Sequence, residues 1–121
     1  MFSKLALISA FVGLVAGKAL DVWNPPITSP TAHSAWPVGS TQNVTWDTST
    51  KPAQVTNPIG KIVLAKDGTL DDENPLASGF QLTDGWHLVT VPPDTVPGDD
   101  YTIVVFGDSG NNSPVFRILA A

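Results

Sequence analysis

Few residues of this chain could carry out catalysis. It has two histidines, His33 and His87, and Glu73 is its one glutamate. A serine or cysteine hydrolase needs a histidine beside its nucleophile, but the chain has no cysteine and no G-x-S-x-G motif. A glycosidase needs two opposed carboxylates, and the sequence sets no such pair apart. We therefore interpret both histidines as structural and predict that the protein is not an enzyme.

Four carboxylates, those of Asp67, Asp71, Asp72 and Glu73, fall within seven residues. The spacing of Asp67 and Asp71 matches the start of a calcium-binding loop. The motif then fails, because Asp72 stands where that loop needs glycine and Ser78 where it needs a bidentate glutamate. We predict a solvated acidic turn, with no metal and no cofactor.

The segment 86–91, WHLVTV, contains the residue best suited to contact a neutral ligand. Alternate side chains of a strand face opposite sides, so placing Val89 and Val91 in the core leaves Trp86 and Leu88 outside. An exposed aromatic ring can stack on the apolar face of a sugar, which makes Trp86 and Leu88 candidates for glycan contact. A shift of one residue would instead put Trp86 in the core, and the sequence leaves both arrangements open.

Asn43 and Asn111 each begin an N-x-Ser/Thr motif for N-glycosylation. We expect both asparagines to face solvent. Asn111 is the favoured acceptor because the segment 106–114 is rich in residues typical of loops.

The first nineteen residues have the composition of a secretory signal peptide. Lys4 precedes a twelve-residue apolar run at 5–16, and small residues at 17 and 19 define a cleavage site after Ala19. The run is shorter than the roughly 20 residues that a membrane-spanning helix needs. We predict removal of residues 1–19 and secretion of a single domain, 20–121, without a membrane span.

The charge of the chain excludes some classes of partner. Six basic and eleven acidic residues give a net charge of −5. Without Lys4 and Lys18, the predicted mature domain carries 4 − 11 = −7. Such a domain repels nucleic acids and anionic membranes. Because the chain has no cysteine, packing must stabilise it without the disulfides common in small secreted domains.

The eleven prolines all follow residue 20 and separate short runs of β-branched and aromatic residues. This pattern is typical of an all-β protein, an antiparallel immunoglobulin-like or fibronectin III-like β-sandwich. We predict seven or eight strands. They are one or two weak edge segments, around 21–23 and 33–36, and then strands at 41–47, 61–66, 78–82, 86–91, 101–106 and 115–119.

Two aromatic residues are assigned structural roles. Trp46 alternates with Val44 along a predicted strand, so we expect it in the core. Tyr101 follows a Pro-Gly turn at the start of a late strand, the position of the tyrosine corner in these sandwiches. Its hydroxyl is expected to bond to the backbone a few residues upstream.

Several short motifs together resemble a known family. They are DVWNPPIT at 21–28, WPVGS at 36–40, VTWD at 44–47, NPIG at 57–60, LTDG at 82–85 and FGDSGN at 106–111. The combination resembles the fungal Ser-Thr-rich GPI-anchored protein family. The extracellular domain of that family is similar to the immunoglobulin-like N-terminal domain of the yeast KRE/KNH-type cell-wall synthesis proteins, which are implicated in β-1,6-glucan assembly. The resemblance implies a cell-wall-associated role and carries over no catalytic residues.

Members of that family commonly continue into a Ser/Thr-rich stalk and an anchor signal. Residues 116–121 are too short for the hydrophobic tail of such a signal, so we expect no GPI anchor. The favoured hypothesis is a secreted, non-enzymatic domain associated with the cell wall that organises or binds β-glucan. The alternative is a secreted domain that binds another extracellular protein through a sheet edge or face.

Overall fold

The computed structural model of the chain describes residues 23–53, 55, 58–107 and 109–121. The predicted signal peptide lies outside these residues. The strands are β1 (Ile27–Ser29), β2 (Ala35–Pro37), β3 (Thr41–Trp46), β4 (Ile59–Lys66), β5 (Thr69–Leu70), β6 (Ala77–Gln81), β7 (Trp86–Thr90), β8 (Gly98–Phe106), β9 (Gly110–Asn112) and β10 (Phe116–Leu119). A 3-10 turn at Leu82–Asp84 joins β6 to β7. Among the described residues, none forms a helix with the length and hydrophobicity needed to span a membrane.

The strands form two sheets. In the described residues, the smaller sheet has the order β1-β3-β7. The larger sheet has the order β2-β10-β8-β4-β5, with β9 also paired to β8 and β6 to β4. β2 runs parallel to β10, and the other pairs are antiparallel. This arrangement is an immunoglobulin-like β-sandwich, so the predicted fold class is confirmed.

The core joins the inner faces of the two sheets. Val44, Trp46 and Val89 of the smaller sheet belong to one buried cluster with Ile62 and Ile103 of the larger sheet. None of these five side chains is more than 4% exposed. Trp46, expected in the core, therefore lies there because it shares the inward side of β3 with Val44.

Tyr101 fixes one end of the larger sheet. Its ring is 3% exposed, and its hydroxyl donates a hydrogen bond to the backbone carbonyl of Val96, five residues upstream. This contact has the form of a tyrosine corner, and it ties the proline-rich segment 92–97 to β8.

The six longer strands lie within three residues of their predicted positions. β2 overlaps the predicted segment 33–36. Trp23 is not in a strand, and residues 21 and 22 lie outside the described part. The predicted total of seven or eight is too low, because the described residues form ten strands. β1, β5 and β9 were missed, since a strand of two or three residues is too short to show alternation.

The acidic segment, residues 67–73, begins with a tight turn between β4 and β5. Lys66 pairs with Thr69, which leaves Asp67 and Gly68 as a two-residue loop with φ of 49° and 81°. Positive φ at both positions is typical of a type I′ hairpin turn, for which Asp-Gly is a preferred sequence. Asp67 therefore has a structural role, because it forms the first position of this turn.

Candidate functional site

The candidate site is the outer side of the β1-β3-β7 sheet, here called the Trp86 face. Residues paired across antiparallel strands project to the same side of a sheet. The outward pairs of β3 and β7 are Thr41 with Thr90, Asn43 with Leu88, and Thr45 with Trp86. The face thus carries two apolar side chains bordered by hydroxyl and amide groups.

Trp86 and Leu88 are 50% and 53% exposed. By contrast, Val89 and Val91 are 2% and 1% exposed. This is the arrangement with the valines in the core, so the shifted arrangement that would bury Trp86 does not occur. The face presents both glycan-contact candidates to solvent.

The inward side of β7 explains this orientation. Val89 packs in the core, and the ring of His87 stacks on Phe80 with a centroid distance of 4.6 Å and an interplanar angle of 20°. His87 is half-buried and covers the edge of the core. The other histidine, His33, lies exposed in a turn where its backbone N–H donates to Thr31 Oγ1 at 3.2 Å.

The 3-10 turn before β7 positions Trp86. Gly85 has φ of 81°, a left-handed conformation that glycine adopts without strain. Its carbonyl accepts a 3.0 Å hydrogen bond from the backbone N–H of Trp46. A Cβ at Gly85 would lie 3.3 Å from Thr48 Cγ2, so the position is also crowded. The turn therefore joins the buried Trp46 to the start of the strand that exposes Trp86.

Hydroxyl groups lie beside the indole ring. Thr45, the partner of Trp86, shares a 2.6 Å hydrogen bond with Thr28 of β1 through their Oγ1 atoms. These two threonines were not predicted at the site. The alternation of β3 indicates that Thr45 points outward, but the strand pairing that puts it beside Trp86 leaves no local signal in the sequence.

The Trp86 face is uncharged. β3 and β7 contain no lysine, arginine, aspartate or glutamate. Asp47 follows β3, and its carboxylate accepts a 2.8 Å hydrogen bond from the backbone N–H of Ser49. That hydrogen bond lowers the pKa of Asp47, with a smaller contribution in the same direction from the Ser49 side chain. The face is therefore suited to an uncharged ligand with one apolar side and several hydroxyl groups.

The two glycosylation candidates occupy different surroundings. Asn43 is exposed at the middle of β3. Asn111 is half-buried, and its Nδ2 donates to the carbonyls of Pro25 at 2.9 Å and Asn24 at 3.3 Å. The expectation that Asn111 lies in an open loop is wrong, because residues 110–112 pair with β8 as strand β9.

The acidic segment is spread along its turn. Asp72 forms an exposed 2.8 Å ion pair with Lys61, and Asp71 accepts a 3.2 Å hydrogen bond from Asn74. Within the described ranges, no three histidine or acidic side chains are grouped so that they could hold a metal ion.

A cleft of about 350 Å³ lies elsewhere, between the acidic segment and residues 92–96. The Lys66 ammonium at its wall bonds to both carboxylate oxygens of Asp100, at 2.8 and 3.0 Å, and lies 4.9 Å from the centre of the Tyr101 ring. The hydrogen bond to Asp100 raises the pKa of Lys66. These polar groups satisfy one another, so we interpret them as structural.

The topology and the tyrosine corner define an immunoglobulin-like β-sandwich module. Residues 29–118 match the family model of the Kre9/KNH-like N-terminal Ig-like domain. The chain belongs to this cell-wall-related family, and the resemblance seen in the sequence is confirmed.

The chain matches no curated protein. Among solved structures, it is similar to the fibronectin(III)-like modules of Clostridium thermocellum CbhA, with a TM-score of 0.40 and 18% sequence identity. That match covers 78% of this chain and 92% of the other.

Proposed function

We propose that this chain is a secreted, non-enzymatic domain of the cell wall whose Trp86 face binds neutral β-glucan. The observation that carries the proposal is the half-exposed indole of Trp86 on an uncharged face. The other tryptophans, Trp23, Trp36 and Trp46, are at most 5% exposed. Trp86 is thus the one of the chain's four tryptophans that is available to a ligand.

The chemistry of the face supports a sugar ligand. A pyranose ring has an apolar side of C–H groups, which Trp86 and Leu88 can cover. Its hydroxyls can bond to the threonine hydroxyls beside the indole ring, including that of Thr45. Because neither the face nor a neutral glucan is charged, we expect affinity to be nearly independent of salt concentration.

A single aromatic platform supports only weak binding. We expect a Kd of about 1 mM for one contact, which corresponds to about −4 kcal/mol. A repeating polymer raises the retention of a weak binder, because a released domain meets another equivalent site nearby. The proposal therefore predicts retention on insoluble glucan and little affinity for short oligosaccharides.

Secretion is the part of the proposal that rests on residues 1–19. We expect the secreted protein to begin at Leu20 and to lose mass when N-glycans are removed. Intact-mass spectrometry of protein secreted by a eukaryotic host measures both. A secreted species that retains Met1, or a pool confined to the cytosol, would contradict this part.

Sedimentation with insoluble β-glucan tests the binding site. The protein is secreted as the full chain, treated with an endoglycosidase and mixed with glucan, and the bound fraction is measured. Trp86→Ala should lose binding. A triple variant, Asp71→Ala with Asp72→Ala and Glu73→Ala, should retain it. Leu70→Ala is the matched control, because Leu70 is 43% exposed but lies on β5 of the larger sheet.

Circular dichroism verifies that each variant is folded. Full binding by folded Trp86→Ala would refute the Trp86 site. Absence of binding by the unsubstituted protein would refute the glucan proposal and favour the alternative, an extracellular protein partner.

A further inference from the structure

We propose that an N-glycan on Asn43 covers the Trp86 face and regulates its access to glucan. The covering follows from the position of the glycosylation motif, whereas the regulation rests on the proposed function. The occupant is the N-acetylglucosamine core of the chain's own glycan.

The motif and the exposed apolar residues occupy the same patch of sheet. Asn43 pairs across the strands with Leu88, and Thr45, the third residue of the motif, pairs with Trp86. Val44, between them, points inward and is fully buried. Both ends of the motif therefore project toward solvent beside the two apolar side chains.

The distances suit a sugar attached at Asn43. Directly paired residues have Cβ atoms about 5 Å apart, and diagonal neighbours such as Asn43 and Trp86 about 7–8 Å. The first N-acetylglucosamine extends beyond the Asn43 amide and reaches the Leu88 side chain. The second reaches the indole of Trp86. The acetyl methyl groups and the C–H faces of these sugars are apolar, like the surface they would cover.

Tethering favours this occupant over free polymer. A covalently attached ligand on a short flexible link has an effective concentration of about 1 mM or more. This is comparable to the weak Kd of about 1 mM expected for one external glucan contact. The attached glycan therefore competes for Trp86 even when its intrinsic affinity is no better than that of the polymer.

The other glycosylation motif lacks this geometry. The Asn111 amide already donates to the carbonyls of Pro25 and Asn24. A glycan on Asn111 would replace one of its N–H groups and would lie against the segment 24–25. It would not lie beside Trp86, so the regulatory role belongs to Asn43.

Collisional quenching of tryptophan fluorescence by acrylamide measures the covering, because Trp86 is the one exposed tryptophan. The full chain is secreted from a eukaryotic host, and glycopeptide mass spectrometry measures occupancy at Asn43. Glycosylated protein should be quenched less than Asn43→Gln, with a value between those of Asn43→Gln and the Trp86→Phe variant. Thr45→Ser preserves the motif and should behave as the unsubstituted chain. Thr45→Val removes the motif but keeps Asn43, and it should behave as Asn43→Gln.

Glucan sedimentation of the same proteins measures the regulation. Asn43→Gln, which keeps the Thr45 hydroxyl of the binding face, should bind more glucan than glycosylated protein. An unoccupied Asn43, or equal quenching with and without the glycan, would refute the covering. Equal binding of both forms would refute the regulation. If neither form binds glucan, the glucan proposal and the regulation both fail, while the quenching comparison still decides whether the glycan covers Trp86.

Discussion

The indole Nε1 of the buried Trp46 donates a 2.7 Å hydrogen bond to the backbone carbonyl of Leu82. Leu82 begins the 3-10 turn, and Gly85, at the end of that turn, bonds to the backbone N–H of Trp46. One core residue thus holds both ends of the turn that precedes Trp86. The order of the core and the orientation of the exposed face are physically connected through Trp46.

Trp46→Ala should therefore destabilise the fold strongly. The substitution leaves a large cavity and removes one of the two hydrogen bonds to the Leu82 carbonyl, which still accepts from the Gly85 N–H. We expect a loss of about 3–5 kcal/mol in the free energy of unfolding. Urea denaturation measures this loss. Trp46→Phe retains much of the ring packing but removes the N–H donor, so it should cost less. Equal costs for the two variants would contradict a dominant cavity effect.

Tyr101→Phe isolates the hydrogen bond of the tyrosine corner. The ring packing survives, but the Val96 carbonyl loses its donor, and we expect a cost of about 1 kcal/mol. Chemical denaturation should rank this cost below that of Trp46→Ala. The reverse ranking would show that the Tyr101 ring, and not its hydroxyl alone, responds to the substitution.

Asp47 should contribute a pH-dependent part of the stability. Its pKa is lowered from 3.8 in the folded protein, chiefly by the hydrogen bond from the Ser49 backbone. A lowered pKa means that the contribution is present above pH 3.8 and disappears as the pH falls through the folded-state value.

The matched variant is Asp47→Asn, which keeps an oxygen acceptor for Ser49 but cannot carry the charge. The difference in unfolding free energy between the unsubstituted chain and Asp47→Asn should be largest near neutral pH and should vanish in acid. Denaturation across a pH series measures it. A difference that grows in acid would contradict the assignment.

Gly60 should not tolerate a side chain, because Phe80 lies directly across from it in the β4–β6 pair. A Cβ at Gly60 would lie 2.3 Å from Phe80 Cε1 and 2.6 Å from Cζ. Gly60→Ala displaces the Phe80 ring, which contacts the rings of Trp46 and His87, and we expect a cost of about 1–3 kcal/mol. Combining it with Phe80→Leu should give a total cost below the sum of the two single costs. Additive costs would show that the ring is not the obstacle.

Much of the fold could be predicted from the sequence, because the longer strands alternate visibly. Val44 and Trp46 on one side of β3, with Asn43 and Thr45 on the other, are enough to indicate which residues enter the core. The exposure of Trp86 depended on a choice between two arrangements of β7. The burial of Val89 in the core decides between these arrangements. That burial depends on tertiary packing, which the local sequence does not show.

The site was less predictable, since strand pairing brings its parts together. Asn43 and Leu88 are 45 residues apart in the sequence, yet they are direct cross-strand partners. No periodicity within β3 or β7 specifies that register. The strand character of Asn111 was missed for a related reason, because β9 is three residues long and becomes recognisable only through its pairing with β8.

Trp86→Phe should separate surface function from folding. Half of the Trp86 side chain is already exposed, and a phenyl ring preserves an apolar group at that position, so we expect a stability change within about 0.5 kcal/mol. In protein freed of N-glycans, acrylamide quenching should nevertheless fall sharply, because each remaining tryptophan is at most 5% exposed.

Trp36→Phe is the matched control for Trp86→Phe, since it removes a buried indole whose ring centroid lies 4.8 Å from that of Phe116. That variant should lose stability and keep most of the quenchable fluorescence. If Trp86→Phe were as destabilising as Trp36→Phe, the role of Trp86 would be packing, and the open aromatic face would lose its physical basis.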